Sequence, residues 1–210
     1  MSKVTLIIGG ARSGKSSLAE AYAKSSNLSV TYIATAQAYD DEMQQRIKQH
    51  QADRPSHWQL IESPLCLAKK IELAILNAST VNEFSIGGKQ QEGICILVDC
   101  LTLWLTNCLC KPTTDNDNSL EGNLAYWENE KQQFLSLLEN IQQKDDDQQS
   151  IEIILVSNEV GHGIVPMGEL SRQFVDQAGW LHQAIAKLAD KVDFVMAGLP
   201  LTLKSSEKVN

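Results

Sequence analysis

The stretch VTLIIGGARSGKS, residues 4–16, constrains this chain more than any other. Val4 to Ile8 are apolar or β-branched and read as a buried strand. Gly9-Gly10-Ala11-Arg12-Ser13-Gly14-Lys15-Ser16 follows at once and fits the phosphate-loop pattern G-x-x-x-x-G-K-[ST] in full. Leu18, Ala19, Ala21, Tyr22 and Ala23 then give a short helical pattern. Strand, glycine loop and helix in this order turn a string match into a structural expectation. Glycine lets the backbone turn sharply, so that several N–H groups converge on one anion. The helix that begins near Lys15 adds its free N–H groups and the positive end of its dipole. Lys15 is then placed to reach the β- and γ-phosphates, and Ser16 to hold Mg2+. The bland alternative is a glycine-rich turn before an ordinary helix. The joint presence of strand, Lys and Ser argues against it.

The loop predicts a nucleoside triphosphate without saying what is done to it, so the rest of the chain must narrow the chemistry. At 210 residues and 43% hydrophobic content the chain can bury a substantial core. No apolar run approaches the ~20 residues of a membrane span. Met1-Ser2-Lys3 leads straight into the first strand, the expectation for a cytoplasmic protein without a signal peptide. A net charge of −8 argues against general nucleic-acid binding, which leaves a basic footprint. The five cysteines include no C-x-x-C pair and sit mostly in apolar surroundings, which predicts reduced, mostly buried thiols.

Further strands are expected at residues 29–35, 94–99, 151–157 and 193–198, with an extended stretch at 56–62. Helices are expected from Asp40-Asp41-Glu42 to just before Arg54-Pro55, then over residues 65–77, 101–110, 120–144 and 170–191. Residues 79–93, 111–118 and 145–150 read as polar connections, and the tail from Lys204 reads as loose. Five strands alternating with helices behind a phosphate loop specify an α/β fold. We expect a mostly parallel sheet flanked by helices on both faces, of the P-loop NTPase (RecA-like) type. Residues 1–204 read as one domain and 205–210 as a polar tail.

Chemistry-bearing residues gather where these strands end. The run Ile94 to Asp99 is apolar and closes on an acid, which makes Asp99 the candidate for the second Mg2+-side group. An N-cap for the helix from Leu101 is the alternative, and the two roles are compatible. Ala34-Thr35-Ala36 offers small residues where a ligand can approach closely. Glu42, Arg46 and His50 recur at spacing four and share one helical face. His162, between Gly161 and Gly163 at a strand exit beside Asn158 and Glu159, competes with His50 as a reactive histidine. His57 reads as structural or surface, and His182 as a residue of an amphipathic helix.

Five blocks together resemble one family. They are GGARSGKS, YIATAQAYDDEMQQRIKQHQADRPSHWQLIESP, ILVDCLTLWLTN, SNEVGHGIVPMGELSRQFVDQAGWLHQ and AGLPLTLK, in order along nearly the whole chain. The family is the bifunctional adenosylcobinamide kinase/adenosylcobinamide-phosphate guanylyltransferase of cobalamin synthesis. The resemblance implies two reactions. The first phosphorylates the hydroxyl of the aminopropanol arm of adenosylcobinamide. The second transfers GMP from GTP to that phosphate through a guanylyl-histidine, which falls here on His50. It also implies GTP contacts at Gly9, Gly10, Ala11, Arg12, Ser13, Gly14, Lys15, Ser16, Ala34, Thr35, Ala36, Gln51, Ala52, Asp53, Arg54, Glu62 and Asp99. Further implications are Mg2+ as cofactor, GTP and ATP as substrates, and a trimer. The assignment is physically coherent. An imidazole with a pKa near ~6.5 is about three-quarters neutral at about pH 7 and is a competent nucleophile toward an α-phosphorus. Arg46, one turn before His50, and the forked donors of Arg54 suit phosphate charge. The polar stretches around residues 79–93, 113–119 and 143–150 are longer than the family pattern and are expected on the surface. A P-loop kinase of another small alcohol and a non-catalytic nucleotide-responsive module are the competing readings.

Overall fold

A computed structural model describes residues 2–38, 41–42, 44–45, 55–84, 93–111, 119–143 and 150–206. The apolar run at the start forms β1 (Lys3–Gly9), and the glycine loop delivers the chain into α1 (Lys15–Ser25). Then come β2 (Ser29–Ala34), β3 (Gln59–Glu62), α2 (Leu67–Phe84), β4 (Gly93–Asp99) and α3 (Leu101–Leu109). The second half is α4 (Leu120–Gln143), β5 (Ser150–Asn158), α5 (Glu169–Leu188), β6 (Lys191–Met196) and β7 (Leu199–Ser205). Residues 41–42 and 44–45 are helical, where the acid-led helix is expected to start.

The seven strands form one sheet in the order β3-β2-β4-β5-β1-β6-β7. Every pair is parallel except β6 with β7. The α/β, mostly parallel architecture is therefore the one expected. Strand alternation sorts side chains to two cores. Leu6, Ile8, Ile33, Ile96, Val98, Ile153 and Leu155 face α2, α3, α4 and α5. Ile7, Tyr32, Cys95, Leu97, Ile154 and Val156 join Ala19 and Ala23 of α1 on the other side. In the larger core, Trp104 meets Trp127 and Phe134 edge-on, with ring centroids 4.8 and 5.3 Å apart. Such pairs add to what burial alone contributes.

The structure departs from the sequence expectation at element ends. The extended stretch at 56–62 supplies a true edge strand, β3, parallel to β2. Residues 79–84, expected in a polar connection, continue α2. The last strand begins at Lys191, earlier than expected, and stops at Met196. Ala197 and Gly198 both take positive φ (52° and 79°), which turns the chain back as a two-residue hairpin into β7. Lys204 and Ser205 belong to β7, and the Lys204 ammonium donates to the Ala186 and Lys187 carbonyls. The expected loose tail is thus paired at its start.

Candidate functional site

Parallel strands deliver their carboxyl ends to one edge, and the register fixes who meets there. Gly9 lies opposite both Asn158 and Val195, Ala34 opposite both Asp99 and Glu62. The phosphate loop, the 34–36 stretch, Glu62, Asp99 and the exit of β5 therefore share the edge where open α/β sheets bind ligands.

The loop is braced by its neighbours. A Cβ on Gly9 would run into the Val195 carbonyl oxygen and come within 2.9 Å of Ser13 Oγ, so only glycine fits. Gly14 has φ +98°, and a Cβ there would stand 3.1 Å from the Gly198 Cα. The Gly198 N–H donates to the Ser13 carbonyl at 2.8 Å, so the β6–β7 turn leans on the loop. Gly10, Ala11 and Arg12 are exposed, with Arg12 in a left-handed conformation. Ser13 Oγ is buried without a hydrogen-bond partner among the described residues. The Lys15 ammonium folds back to donate to the Gly10 carbonyl at 2.6 Å. Burial lowers its pKa, an effect opposed by the nearby Cys100 and Asp99. Ser16 follows in the first turn of α1, half-buried.

The exits of β2 and β4 are tied together. The Tyr32 hydroxyl donates to Asp99 Oδ2 at 3.0 Å and orients that half-buried carboxylate. Thr35 is fully buried. Its hydroxyl donates to the Cys100 carbonyl (2.7 Å) and accepts from the Cys100 N–H (2.8 Å), and its own N–H reaches the Asp99 carbonyl. The Asn107 amide donates to the Thr35 and Pro64 carbonyls at 2.8 and 3.0 Å. Thr35 thus spends its polar groups on the fold, whereas Ala34 and Ala36 are half-buried and Glu62 is exposed. Burial and the neighbouring Asp99 push the Cys100 thiol up to about 11, so it stays protonated.

At the exit of β5, the Asn158 side chain donates to Thr102 Oγ1 at 3.1 Å. The Glu159 N–H donates to the Gly9 carbonyl at 2.9 Å, and Glu159 Oε1 accepts from the Gly161 N–H at 2.6 Å. His182 is buried, with Nε2 2.7 Å from Ser157 Oγ and Nδ1 3.8 Å from Glu159 Oε2. Burial lowers the pKa of this imidazole, and Glu159 partly opposes the shift. His162 is exposed and lies against Phe194, with ring centroids 5.8 Å apart. Arg46, His50, Gln51, Ala52, Asp53 and Arg54 lie outside the described residues.

Sequence reasoning missed Tyr32, Asn107, Thr102 and the link from His182 to Glu159. Asn107 left a trace, since one amide inside the apolar helix LTLWLTNCL must find partners when buried. A tyrosine in a strand and a histidine on an amphipathic helix carry no such mark. Away from this edge, a cleft of about 650 Å³ opens between Asn27, Thr31, Trp58 and Asn77, and it holds none of the phosphate-loop residues.

A glycine loop between β1 and α1, with an acid closing a strand two places away in the sheet, defines a P-loop NTPase-type α/β protein. The chain belongs to the family described as cobinamide kinase / cobinamide phosphate guanyltransferase, which it matches over residues 5–203. Among its relatives is the bifunctional adenosylcobalamin biosynthesis protein CobP of Pseudomonas aeruginosa, 48% identical over 199 residues, with 95% of this chain and 96% of that protein covered. The corresponding CobU of Escherichia coli is 36% identical over 95% of this chain and 98% of its own length. The fold is also similar to that of a prototypical ATPase from the type III secretion system of pathogenic bacteria. There the TM-score is 0.52 at 11% identity, over 95% of this chain and 56% of that one, a likeness of fold alone.

Proposed function

We propose that the chain carries both activities of its family. It phosphorylates the hydroxyl of adenosylcobinamide with a nucleoside triphosphate, ATP or GTP. It then transfers GMP from GTP to the resulting phosphate, releasing pyrophosphate and forming adenosylcobinamide-GDP. The observation that carries the reading is the family match over residues 5–203, with the phosphate loop complete inside it. Residues 9–16, with Ala34, Ala36, Glu62 and Asp99 on the same edge, are the nucleotide contacts, and Thr35 supports them from beneath. Lys15 exchanges the Gly10 carbonyl for phosphate oxygens when the triphosphate binds. His50 is the guanylylated nucleophile, with Arg46 and Gln51 to Arg54 as further contacts around it.

The residues fit Mg2+. Ser16 supplies a hydroxyl and Asp99 a carboxylate whose orientation Tyr32 fixes. One carboxylate and one hydroxyl suit an ion that keeps several waters and takes its other ligands from phosphates. When bound, the ion neutralises charge on the phosphates. Residues 1–204 act as one domain, in the cytoplasm. A homo-oligomer, a trimer by family resemblance, is supported by exposed Leu199, Leu201 and Leu203 along the edge strand β7 and by exposed Ile164, Val165 and Met167. Sedimentation checks it, and a monomer at micromolar concentration overturns it.

The decisive test uses GTP labelled at the α-phosphate. Label that survives denaturation, is acid-labile and alkali-stable, and is absent from His50→Asn supports the guanylyl-histidine. A wild-type protein that takes no label under turnover conditions removes the transferase half of the proposal.

A further inference from the structure

The exit of β5 holds a carboxylate that three separate parts of the fold fix in place. β5 lies between β1, which carries the phosphate loop, and β4, which carries Asp99. Asn158 stands level with Gly9, and Asp99 level with Val156. Glu159 is therefore one residue beyond the first loop glycine, on the sheet edge between the loop and Asp99. Its backbone N–H is bonded to Gly9, its Oε1 to the Gly161 N–H, and its Oε2 lies 3.8 Å from His182 Nδ1. Its side chain is 19% exposed, so it reaches the surface of that edge.

Among the described residues, the His182 imidazole at 3.8 Å is its one basic neighbour, and no lysine or arginine pairs with it. His182 is itself anchored beneath, by Nε2 on the buried Ser157 hydroxyl. Other candidates for the same task are committed elsewhere. Asp99 is the carboxylate proposed for the Mg2+ side, Lys15 is a cation on the loop, and the His162 ring packs against Phe194.

We infer that Glu159 is the general base of the phosphoryl-transfer step and that His182 is the residue that positions it. The inference rests on the proposed kinase activity. As the substrate hydroxyl oxygen attacks the γ-phosphorus, its proton passes to the Glu159 carboxylate. The new O–P bond forms while the bond from the γ-phosphorus to the β–γ bridging oxygen breaks. The nucleoside diphosphate leaves with that electron pair, and Glu159 returns its proton to water afterwards. The Gly161 N–H holds one carboxylate oxygen and the His182 ring, 3.8 Å from the other, limits where it can turn, so the base keeps one orientation through the cycle.

The test uses the full-length protein with adenosylcobinamide, nucleoside triphosphate and Mg2+. Glu159→Gln keeps the shape and the bond from Gly161 but cannot take a proton. Its kcat for phosphorylation should fall by roughly 10²–10⁴-fold, with KM for the triphosphate held within about threefold. A kcat within about threefold of wild type overturns the assignment, as does recovery of the rate in excess Mg2+, which would make Glu159 part of a metal shell. His182→Gln still reaches Ser157 and loses its approach to Glu159. It should lower kcat less than Glu159→Gln while leaving KM unchanged, whereas a parallel loss of kcat and triphosphate affinity refutes the positioning role. Wild type is assayed alongside. No phosphorylated product from wild type refutes the kinase reading itself, and equal product from wild type and Glu159→Gln refutes only the base.

Discussion

Thr35→Val isolates a single feature of the site, the hydroxyl that clasps Cys100. Valine matches threonine in shape, so no cavity forms. Both bonds of the hydroxyl vanish, the one given to the Cys100 carbonyl at 2.7 Å and the one taken from the Cys100 N–H at 2.8 Å. Thr35 is fully buried and Cys100 is 5% exposed, so water cannot replace either bond. The Cys100 carbonyl keeps the Trp104 N–H at 3.2 Å, so only the Cys100 N–H is left unpaired, at a cost of about 1–3 kcal/mol. For a chain of this size each kcal/mol moves Tm by about 2–4 °C, so a fall of roughly 2–12 °C is expected. Thr35→Ser is the control: it keeps both bonds and loses one methyl, about 0.8 kcal/mol. Urea unfolding followed by Trp fluorescence reads the stability, and a fluorescent GTP analogue reads the site. Because Cys100 directly follows Asp99, slack there should also weaken binding of the analogue in Thr35→Val and spare it in Thr35→Ser. A Thr35→Val protein within about 0.5 kcal/mol of wild type refutes the reasoning, as does a serine variant as damaged as the valine.

Trp104→Ala should destabilise by about 3–5 kcal/mol, since it empties a fully buried site and removes two edge-on ring contacts; calorimetry or urea unfolding checks it. Stability should also fall with acid through His182. Its folded pKa lies below the free value of about 6.5, so below about pH 6.5 the unfolded chain takes up a proton that the folded form refuses. The slope from this group reaches at most about 1.4 kcal/mol per pH unit and vanishes above about pH 6.5. The unfolding midpoint of wild type should drop between about pH 7.5 and about pH 5.5 more steeply than that of His182→Gln, and parallel curves refute the assignment.

Local chemistry decided what was legible beforehand. The loop was readable because glycine, lysine and serine each answer to a separate physical need at fixed spacing. Asp99 was readable because an apolar run must stop at the sheet edge. The β6–β7 hairpin was not, because a left-handed alanine at Ala197 has no sequence signature, and Gly198 there reads as the end of a strand. The pairing of His182 with Ser157 spans 25 residues, and on its own helix that histidine occupies an ordinary core position. Thr35 shows the limit of a positional argument. The sequence places it where a ligand is expected to approach, and the fold uses it to tie the exits of β2 and β4 together.

The same logic explains why an acidic chain can cradle a triphosphate. Backbone carbonyls repel phosphate as strongly as N–H groups attract it, so a loop binds an anion only if its carbonyls are turned to other work. Here Gly9 accepts from the Glu159 N–H, Gly10 from the Ser13 N–H, Ser13 from the Gly198 N–H and Gly14 from the Leu18 N–H. Two of those donors come from strands flanking β1, namely the exit of β5 and the turn after β6. The loop's polarity is thus set by its neighbours in the sheet as much as by its own glycines. The net charge of −8 is spread over the whole chain, whereas these bonds orient the dipoles of the loop itself, next to where it would hold an anion. At such range the local arrangement outweighs the total, because solvent and salt screen the distant charges and not the near dipoles.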